Sequence, residues 1–564
     1  MTNFFALSAT RLRALFLLAL LLRLAAPAQA QTATWQQALA FAQPATAQSE
    51  AYATATSAAG EVYVAGSFSG TLTLGATTLT SAGDVDAFVA KWSPATGNFT
   101  WAVGAGGTGA DAAYSLAVQG SSVYLTGSYG AAGATFGTTQ LASYGGLDMF
   151  VARLTDAGTT TSFGWVRHAG GATNDVGRSV AVLGTSVYVG GFYYLPTTTA
   201  TATFGTLALT SQGDVDGYVT KLVDTGATTD FVWALPIQGT RADAVNSLAA
   251  TATGVYAAGS FSSATLQLGT VQLTNATGQG GYVARLTDAG PTASVAWARS
   301  VGGGFTDYIY TVAASGSSVY VAGTFGSPSL AVGSTTLTQA GIYTAFVAKL
   351  TDANTAGTFQ WARQLGNGQS AAITKLLVQG TNVFTAGFFS SPTLVVGSTT
   401  LTLAGSYDGF VTRLTDTPGG PAFAWALAAG GPGFDQTDAV ALSPTGALYA
   451  SGVLYHTATF GSLSATGASS AGNGFLAGLQ DASLLATTPA AAGASLHLYP
   501  NPAPGPATLG GAAPGAAVRI LDLRGRCVAT ATATAQGTAA LPAGLAPGLY
   551  LVRAGAATVR WAVE

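Results

Sequence analysis

Seven copies of one tryptophan-bearing unit constrain this chain more than anything else in it. Trp35, Trp101, Trp165, Trp233, Trp297, Trp361 and Trp425 recur 64 to 68 residues apart. A period of that length marks a supersecondary unit that cannot bury its apolar face alone and must stack on its neighbours. The stretch from Asp148 to Trp165, DMFVARLTDAGTTTSFGW, reads as two paired strands. Phe150, Ala152 and Leu154 alternate with Val151 and Arg153, Asp156-Ala157-Gly158 supplies a turn, and Phe163 and Trp165 alternate on the way back. Each unit carries a second signature, Tyr-x-x-Gly-x-aromatic, as in Tyr63/Gly66/Phe68, Tyr124/Gly127/Tyr129, Tyr188/Gly191/Tyr193, Tyr256/Gly259/Phe261 and Tyr320/Gly323/Phe325. Phe384/Gly387/Phe389 keeps it with Phe for Tyr, and Tyr449/Gly452 is followed by Leu454. A further strand, such as Tyr114 to Val118 or Tyr310 to Ala314, precedes each signature.

Four short β-branched or aromatic strands per unit, bounded by Gly-rich loops, point to blades set around an axis. The expected fold class is all-β: a seven-bladed β-propeller over residues 31–481. The phase of the repeat is informative. The chain begins on an outer strand around Trp35 and ends on a third strand, Phe475 to Leu479. The seventh blade therefore lacks an outer strand of its own, and the N-terminal segment is expected to close it, which removes exposed edges. Only 8% of the residues are charged, yet nine Trp, 21 Tyr and 26 Phe at regular spacing supply the burial that a disordered chain lacks.

The stretches GEVYVAGSF, LGATTLTSAGDVDAFVAKW, SVYLTGSY and TFGTTQLASYGGLDMFVARL resemble the SBBP-type β-propeller repeats of exported bacterial proteins. The resemblance implies the fold and leaves the function open, because propellers host enzymes, binders and scaffolds alike. An Ala, Thr and Pro-rich linker over residues 482–495 follows. Beyond it Tyr499-Pro500-Asn501-Pro502, then Ile520-Leu521-Asp522 with Gly525 and Arg526, then Gly548-Leu549-Tyr550 resemble, in order and spacing, the type A sorting domain of the type IX secretion system. That resemblance implies a small immunoglobulin-like β-sandwich over residues 496–564. Tyr499, Pro500, Asn501, Pro502, Asp522, Gly525, Gly548 and Tyr550 carry the sorting signal, the secretion machinery is the partner, and a surface glycolipid is a candidate attachment. The closing strand, Val559 to Glu564, departs from the lysine-rich end of such domains.

Arg11 and Arg13 precede the apolar run Ala14 to Leu22, and Ala28-Gln29-Ala30 offers the small residues a signal peptidase needs. Residues 1–30 therefore read as a secretory signal cut after Ala30. The run is too short to span a bilayer of about 30 Å, and no later stretch is a candidate. Cleavage takes the formal charge from −3 to −6 and leaves Cys527 as the only cysteine, expected as a buried structural thiol on a strand. The expected location is the cell surface or the extracellular space.

Catalytic chemistry has little material. Three histidines, His168, His456 and His497, lie on separate segments, and no Walker, Rossmann or zinc-finger pattern occurs. His168 is expected in a solvated loop. Asp111, Asp175, Asp243, Asp307 and Asp435 each follow a repeat Trp by ten residues, in the loop before an inner strand, and should sit around one mouth of the channel. Bracing of their own loops is the favoured reading and a calcium-binding ring the other. Asp84, Asp86, Asp214, Asp216 and Asp408 add to that face. Lys91, Arg153, Lys221, Arg285, Lys349 and Arg413, one per third strand in six blades, are expected to hold their charged heads in water. Nucleic acid is disfavoured as a partner, because residues 31–494 hold 12 basic residues against 21 acidic. The reading is a monomeric surface or secreted propeller that binds a glycan or protein ligand or acts as a scaffold, without a required cofactor. A glycan-active hydrolase or lyase and a structural coat protein are the alternatives.

Overall fold

The structure, a computed structural model, describes residues 33–563 apart from 196, 198–199, 276–277, 303, 367–369, 469–470, 487–495, 503–505, 513–514, 523–525, 535–536 and 555–556. The expected leader with its cut at Ala30, most of the linker, and Gly525 lie outside the described residues. The chain divides into two compact units, Met1–Ala482 and Ser483–Glu564. Both are built of antiparallel β-sheet, as the alternating stretches predict, and the one helix among the described residues is Ala482–Ala486.

Seven four-stranded sheets make the first unit. Sheet 1 consists of Gln48–Thr56, Val62–Ser69, Asp86–Ser93 and Asn98–Ala105. Sheets 2 to 6 follow over residues 112–170, 175–238, 243–301, 307–365 and 371–429, each in the same order of first, second, third and fourth strand. Sheet 7 takes Gln436–Leu442, Ala447–Leu454 and Asn473–Asp481 from the end of the unit and its fourth strand, Ala33–Ala40, from the beginning. Ala33 pairs with Asp481 and Ala40 with Phe475. Between second and third strands each sheet adds a short hairpin, such as Thr71–Leu74 with Thr77–Thr80. In sheets 3 and 4 that hairpin pairs with the fourth strand of the preceding sheet, through Ala169↔Phe204 and Ile237↔Leu268.

Second and third strands are buried on both faces, as Asp86–Ser93 and Ser122–Tyr129 are along their whole length. The cause is stacking. Each apolar cluster straddles two sheets: Tyr63, Val89 and Trp101 of sheet 1 pack with Leu116, Leu125 and Phe150 of sheet 2. The series also returns on itself, because Val62, Val64 and Phe88 of sheet 1 pack with Tyr449 and Leu476 of sheet 7.

The seam between consecutive sheets carries a polar knot at the end where third and fourth strands turn. Lys91 of sheet 1 reaches Asp156 of sheet 2 at 2.9 Å, and the same contact recurs as Arg153–Asp224 at 3.1 Å, Lys221–Asp288 at 2.6 Å, Arg285–Asp352 at 2.9 Å, Lys349–Asp416 at 2.6 Å and Arg413–Asp481 at 2.6 Å. Each carboxylate also accepts the indole N–H of the preceding sheet's repeat Trp, from Trp101 Nε1 to Asp156 at 3.1 Å through Trp425 Nε1 to Asp481 at 2.7 Å. In five seams it accepts a Tyr hydroxyl as well, Tyr63 to Asp156 at 2.6 Å being the first. These cations were expected in water, and the structure corrects that. Lys91, Lys221 and Arg285 are buried and Arg153, Lys349 and Arg413 half-buried, because the turn aspartate of the next sheet lies within reach. A buried ion pair alone roughly breaks even against its desolvation. Here the extra donors satisfy the carboxylate and set the register of one sheet on the next.

Sheet 1 has Pro94 where the turn aspartate would stand, and sheet 7 has Gly478 where the cation would. The seam that joins sheet 7 to sheet 1 accordingly has no such knot among the described residues, and Trp92 packs on Tyr449 at 5.8 Å. The expectation that Trp35 is the repeat tryptophan of sheet 7 is corrected by the register: Gln37 faces Gly478, while Trp35 pairs with Leu479, as Phe163 does with Leu154 in sheet 2, and packs edge-on against Phe460 with its buried N–H unpartnered.

The second unit has two sheets. One joins His497–Tyr499, Thr508–Gly510 and Ala539–Ala540; the other joins Cys527–Thr532, Ala517–Leu521, Gly548–Ala554 and Ala557–Val563. Leu509, Val518, Ile520, Val552 and Trp561 form its core. Cys527 sits on a strand as expected, but its side is exposed, which corrects the expectation of a buried thiol.

Candidate functional site

The first strand of every sheet is interrupted by a β-bulge at the same place, which turns one side chain out of the ladder. In sheet 2 Ala113 pairs with Gly127 and Ser115 with Thr126, leaving Tyr114 unpaired. The equivalent residues are Tyr52, Arg178, Asn246, Tyr310, Thr374 and Asp438. The glycine of the Tyr-x-x-Gly signature explains the bulge. A Cβ on Gly127 would meet Ala112 O at 1.8 Å, and one on Gly191 would meet Val176 O at 1.9 Å, so only glycine admits the displaced carbonyl.

These seven residues, one from each sheet, line a single cavity of ≈ 400 Å³. Tyr52 lies on Tyr114 at 5.3 Å, and Tyr308 stacks on Tyr310 at 5.5 Å with an angle of 11°. Arg178 stands 5.8 Å from the Tyr114 ring and 5.3 Å from that of Phe192. Asn246 donates to Ile309 O at 2.9 Å and Thr374 to Thr437 O at 2.8 Å, so these two tie neighbouring sheets together. Burial, followed by the charge of Glu50, pushes the Asp438 carboxyl far above the usual range. Burial also raises Glu50, against hydrogen bonds to Tyr52 and Asp438. Burial pushes the Lys375 ammonium down and Tyr310 up to about 12, so the phenol remains a donor.

A second cavity, of ≈ 300 Å³, shares Tyr308 and Tyr310 with the first and adds Tyr343, Phe388 and Tyr407. From it a run of rings continues along the loops of sheets 5 to 7: Phe388 to Tyr407 at 5.6 Å, Tyr407 to Phe434 at 5.0 Å, Phe434 to Tyr455 at 6.0 Å. Phe305 is 61% exposed and Ile342 63%. This crest lies on the loop side of the sheets, where the loop before a third strand bridges the loop before the next sheet's first strand, as in Tyr343↔Ser370 and Tyr407↔Phe434.

The aspartates singled out in the sequence lie on the same side, buried. Asp111 accepts from Gly107 N at 2.8 Å and Gly130 N at 3.0 Å, Asp435 from Gly431 N at 2.6 Å and Tyr455 N at 2.9 Å. Asp243 accepts from Ser263 Oγ at 2.7 Å, Asp307 from Ser327 Oγ at 2.6 Å, and Asp175 from Gly171 N at 2.6 Å. A second carboxyl faces four of them across the seam: Asp86, Asp148, Asp216 and Asp408 all raise their neighbours' affinity for a proton. Burial, chiefly, pushes Asp111 and Asp435 up to about 6, Asp243 to about 7 and Asp175 to about 8. Among the described residues no group of three or more His, Cys, Asp or Glu is placed to hold a metal ion. His168 lies in a strand, half-buried, bonded to the Tyr129 hydroxyl at 2.5 Å and stacked on Tyr144 at 4.9 Å, a correction to the solvated loop expected for it.

In the second unit Asn501 reaches the last strand twice, donating to Arg560 O at 2.7 Å and accepting from Ala562 N at 2.9 Å. Asp522 pairs with Arg526 at 2.8 Å, Tyr550 donates to Ala546 O at 2.8 Å, and Tyr499 is exposed. Pro500, Pro502 and Gly548 are exposed beside them.

The bulge residues escaped the reading of the sequence, although a signal for them exists. Three residues after the repeat aspartate the otherwise regular unit shows Tyr114, Arg178, Asn246, Tyr310 and Asp438, the position at which the repeat stops repeating.

No family model matches the chain, and no curated protein matches it. Among solved structures it is similar to a protein of unknown function from Dyadobacter fermentans, at 10% identity over 80% of this chain and 99% of that one, with a TM-score of 0.34. It is also similar to a putative 6-phosphogluconolactonase from Bacteroides uniformis, at 12% identity over 58% and 88%, with a TM-score of 0.27. A third is PorZ, a surface component of the type-IX secretion system of Porphyromonas gingivalis, at 11% identity over 93% and 100%, with a TM-score of 0.14.

Proposed function

We propose that the protein is an exported seven-bladed β-propeller that binds carbohydrate at the loop-side mouth of its central channel, delivered to the cell surface or medium by a type IX sorting domain. Seven four-stranded sheets, each packed on the next and the last on the first, support the propeller. The sandwich-like pairing of the second unit and the YPNP, Asp522 and Gly548-Leu549-Tyr550 motifs support the sorting domain. The observation that carries the binding reading is the aromatic crest of sheets 5 to 7 running into a cavity lined by one variable residue from each sheet. Exposed rings beside a polar cavity offer apolar faces for pyranose rings and hydrogen bonds for their hydroxyls.

The test is a glycan array with purified protein, run with and without calcium because of Asp111, Asp175, Asp243, Asp307 and Asp435. Saturable binding that is lost in Tyr407→Ala with Phe434→Ala supports the reading; a blank array together with no adhesion to whole cells removes it. For sorting, deletion of residues 498–564 should strand the protein in the periplasm, and normal surface display of that truncation would refute the assignment. A hydrolase or lyase is the second reading. Its one favouring observation is the pair of neighbouring carboxyls Glu50 and Asp438, both raised chiefly by burial, beside Tyr52. Release of shortened oligosaccharide by the parent but not by Asp438→Asn would establish it.

A further inference from the structure

In sheets 2 to 5 the residue after the bulge is a stitch between sheets, whereas sheets 1 and 7 carry Ala53 and Ala439 there. Ser115 Oγ accepts Val180 N at 3.1 Å, Ser179 Oγ accepts Leu248 N at 3.0 Å, Ser247 Oγ accepts Val312 N at 3.1 Å, and Thr311 Oγ1 accepts Leu376 N at 3.2 Å. In sheet 6 the series stops. Lys375 stands there, gives up the stitch, and places an ammonium in the cavity wall. Lys375 is half-buried, and a Lys withdrawn from water normally has a carboxylate partner. Among the described residues Lys375 has none, even though Asp438 lines the same cavity. Asp438 instead accepts the side-chain amide of Gln436 and stands near Glu50.

Arg178, which is exposed, likewise has no anionic partner among the described residues. Its guanidinium is fixed between the Tyr114 and Phe192 rings, and among the described residues none of its donors is taken up by a hydrogen bond. The contrast with the third strands is sharp, since all six cations there are paired with aspartates. The cavity therefore keeps two cations without counter-charge, in a chain of net charge −3, beside tyrosine rings.

We propose that the channel takes an anionic sugar residue, its carboxylate or sulfate held by Lys375 and Arg178 and its ring laid against the channel tyrosines. This deepens, and rests on, the carbohydrate reading. A planar guanidinium and an ammonium are the donors that select such anions, and ≈ 400 Å³ accommodates one or two pyranose units. Neutral residues of the same glycan continue over the crest of sheets 5 to 7.

Titration calorimetry of the full chain with digalacturonate, its methyl ester, a sulfated galactose disaccharide and lactose tests this. Either the uronate or the sulfate should bind at least tenfold tighter than both the ester and lactose, and which of them does names the source of the charge. Lys375→Met and Arg178→Gln should each erase that preference by weakening the acid at least tenfold, and Lys375→Arg should restore it. If ester and lactose bind as well as both acids, the anionic inference is overturned and the carbohydrate reading stands. If no sugar binds, both fall. Should Lys375→Met fail to fold, the acid-to-ester ratio of the parent and of Arg178→Gln still decides.

Discussion

The two ends of each seam are built on opposite principles. At the turn end an aspartate, a cation, an indole and usually a phenol repeat with one geometry through six seams. At the loop end four seams set two carboxyls face to face, while the others have Gly280 with Asp307, Thr344 with Ala371 and Asn473 with Ser49. Opposite charge locks one end; like charge, held by protons and backbone N–H groups, occupies the other. Regularity at the turn end goes with register, and variation at the loop end goes with the binding face proposed above.

The largest expected effect breaks a lock. Asp352→Ala leaves Arg285 buried without its counter-charge and deprives the Tyr256 hydroxyl and the Trp297 N–H of their acceptor. It should cost about 3–5 kcal/mol by denaturant unfolding. A loss under 1 kcal/mol would mean that the knots are decoration. The equivalent change at the loop end, Asp175→Asn, should not destabilise at all at alkaline pH.

A second, smaller effect separates the ends by pH. The loop-end carboxyls are raised, to about 8 for Asp175 and about 7 for Asp243. Between the ordinary carboxylate range and those values the folded state keeps protons that the unfolded chain releases, so stability falls as pH rises from about 4 toward about 8. The turn-end aspartates run the other way. Burial opposes the charge of Asp156, but Tyr63, Lys91, Gly158 N–H and Trp101 together hold it below its usual value, and Asp224, Asp288, Asp352 and Asp416 are lowered likewise. Their contribution is present above the unfolded pKa and is lost as pH falls through the lowered one. The unfolding midpoint should thus peak in mildly acidic solution, and Asp175→Asn should flatten only the alkaline limb, where one such group changes stability by at most about 1.4 kcal/mol per pH unit.

The smallest effect compares two indoles. Trp165→Phe removes the N–H that reaches Asp224 at 3.0 Å, whereas Trp35→Phe, at the register position that Phe163 holds in sheet 2, removes one that reaches nothing. Both lose similar apolar area, so the first should cost about 1.5 kcal/mol more than the second. Equal costs would show that the indole hydrogen bond contributes nothing at the seam.

Much of this architecture was legible. The spacing from Trp35 to Trp425 gave seven units, and the phase of the repeat gave the pairing of Ala33–Ala40 with Asn473–Asp481. The turn Asp156-Ala157-Gly158 was legible only as a turn, because its second role needs a residue one repeat away: 91 to 156 is one period, so the contact cannot be seen inside a single unit. The cavity was hidden for a different reason. A bulge reverses the side to which a residue projects, and simple alternation therefore assigns Tyr114 and Tyr310 to an ordinary strand face. The glycine that permits the bulge was in plain view but was taken only as part of a repeat signature.

The pairing of the first described strand with the last strand of sheet 7 sets a clock. Contacts that span so much chain form late, because ordering must be completed before closure rewards it. At a synthesis rate of about 5–20 residues per second, roughly 20 to 90 seconds separate the emergence of Ala33 from that of Asp481. Through that interval sheet 1 has no sheet 7 to pack on, and Val62, Val64 and Phe88 remain uncovered on that side. A nascent chain of this kind stays open from end to end until its final strand is made, and any premature stop before Asn473 leaves a stack that cannot close.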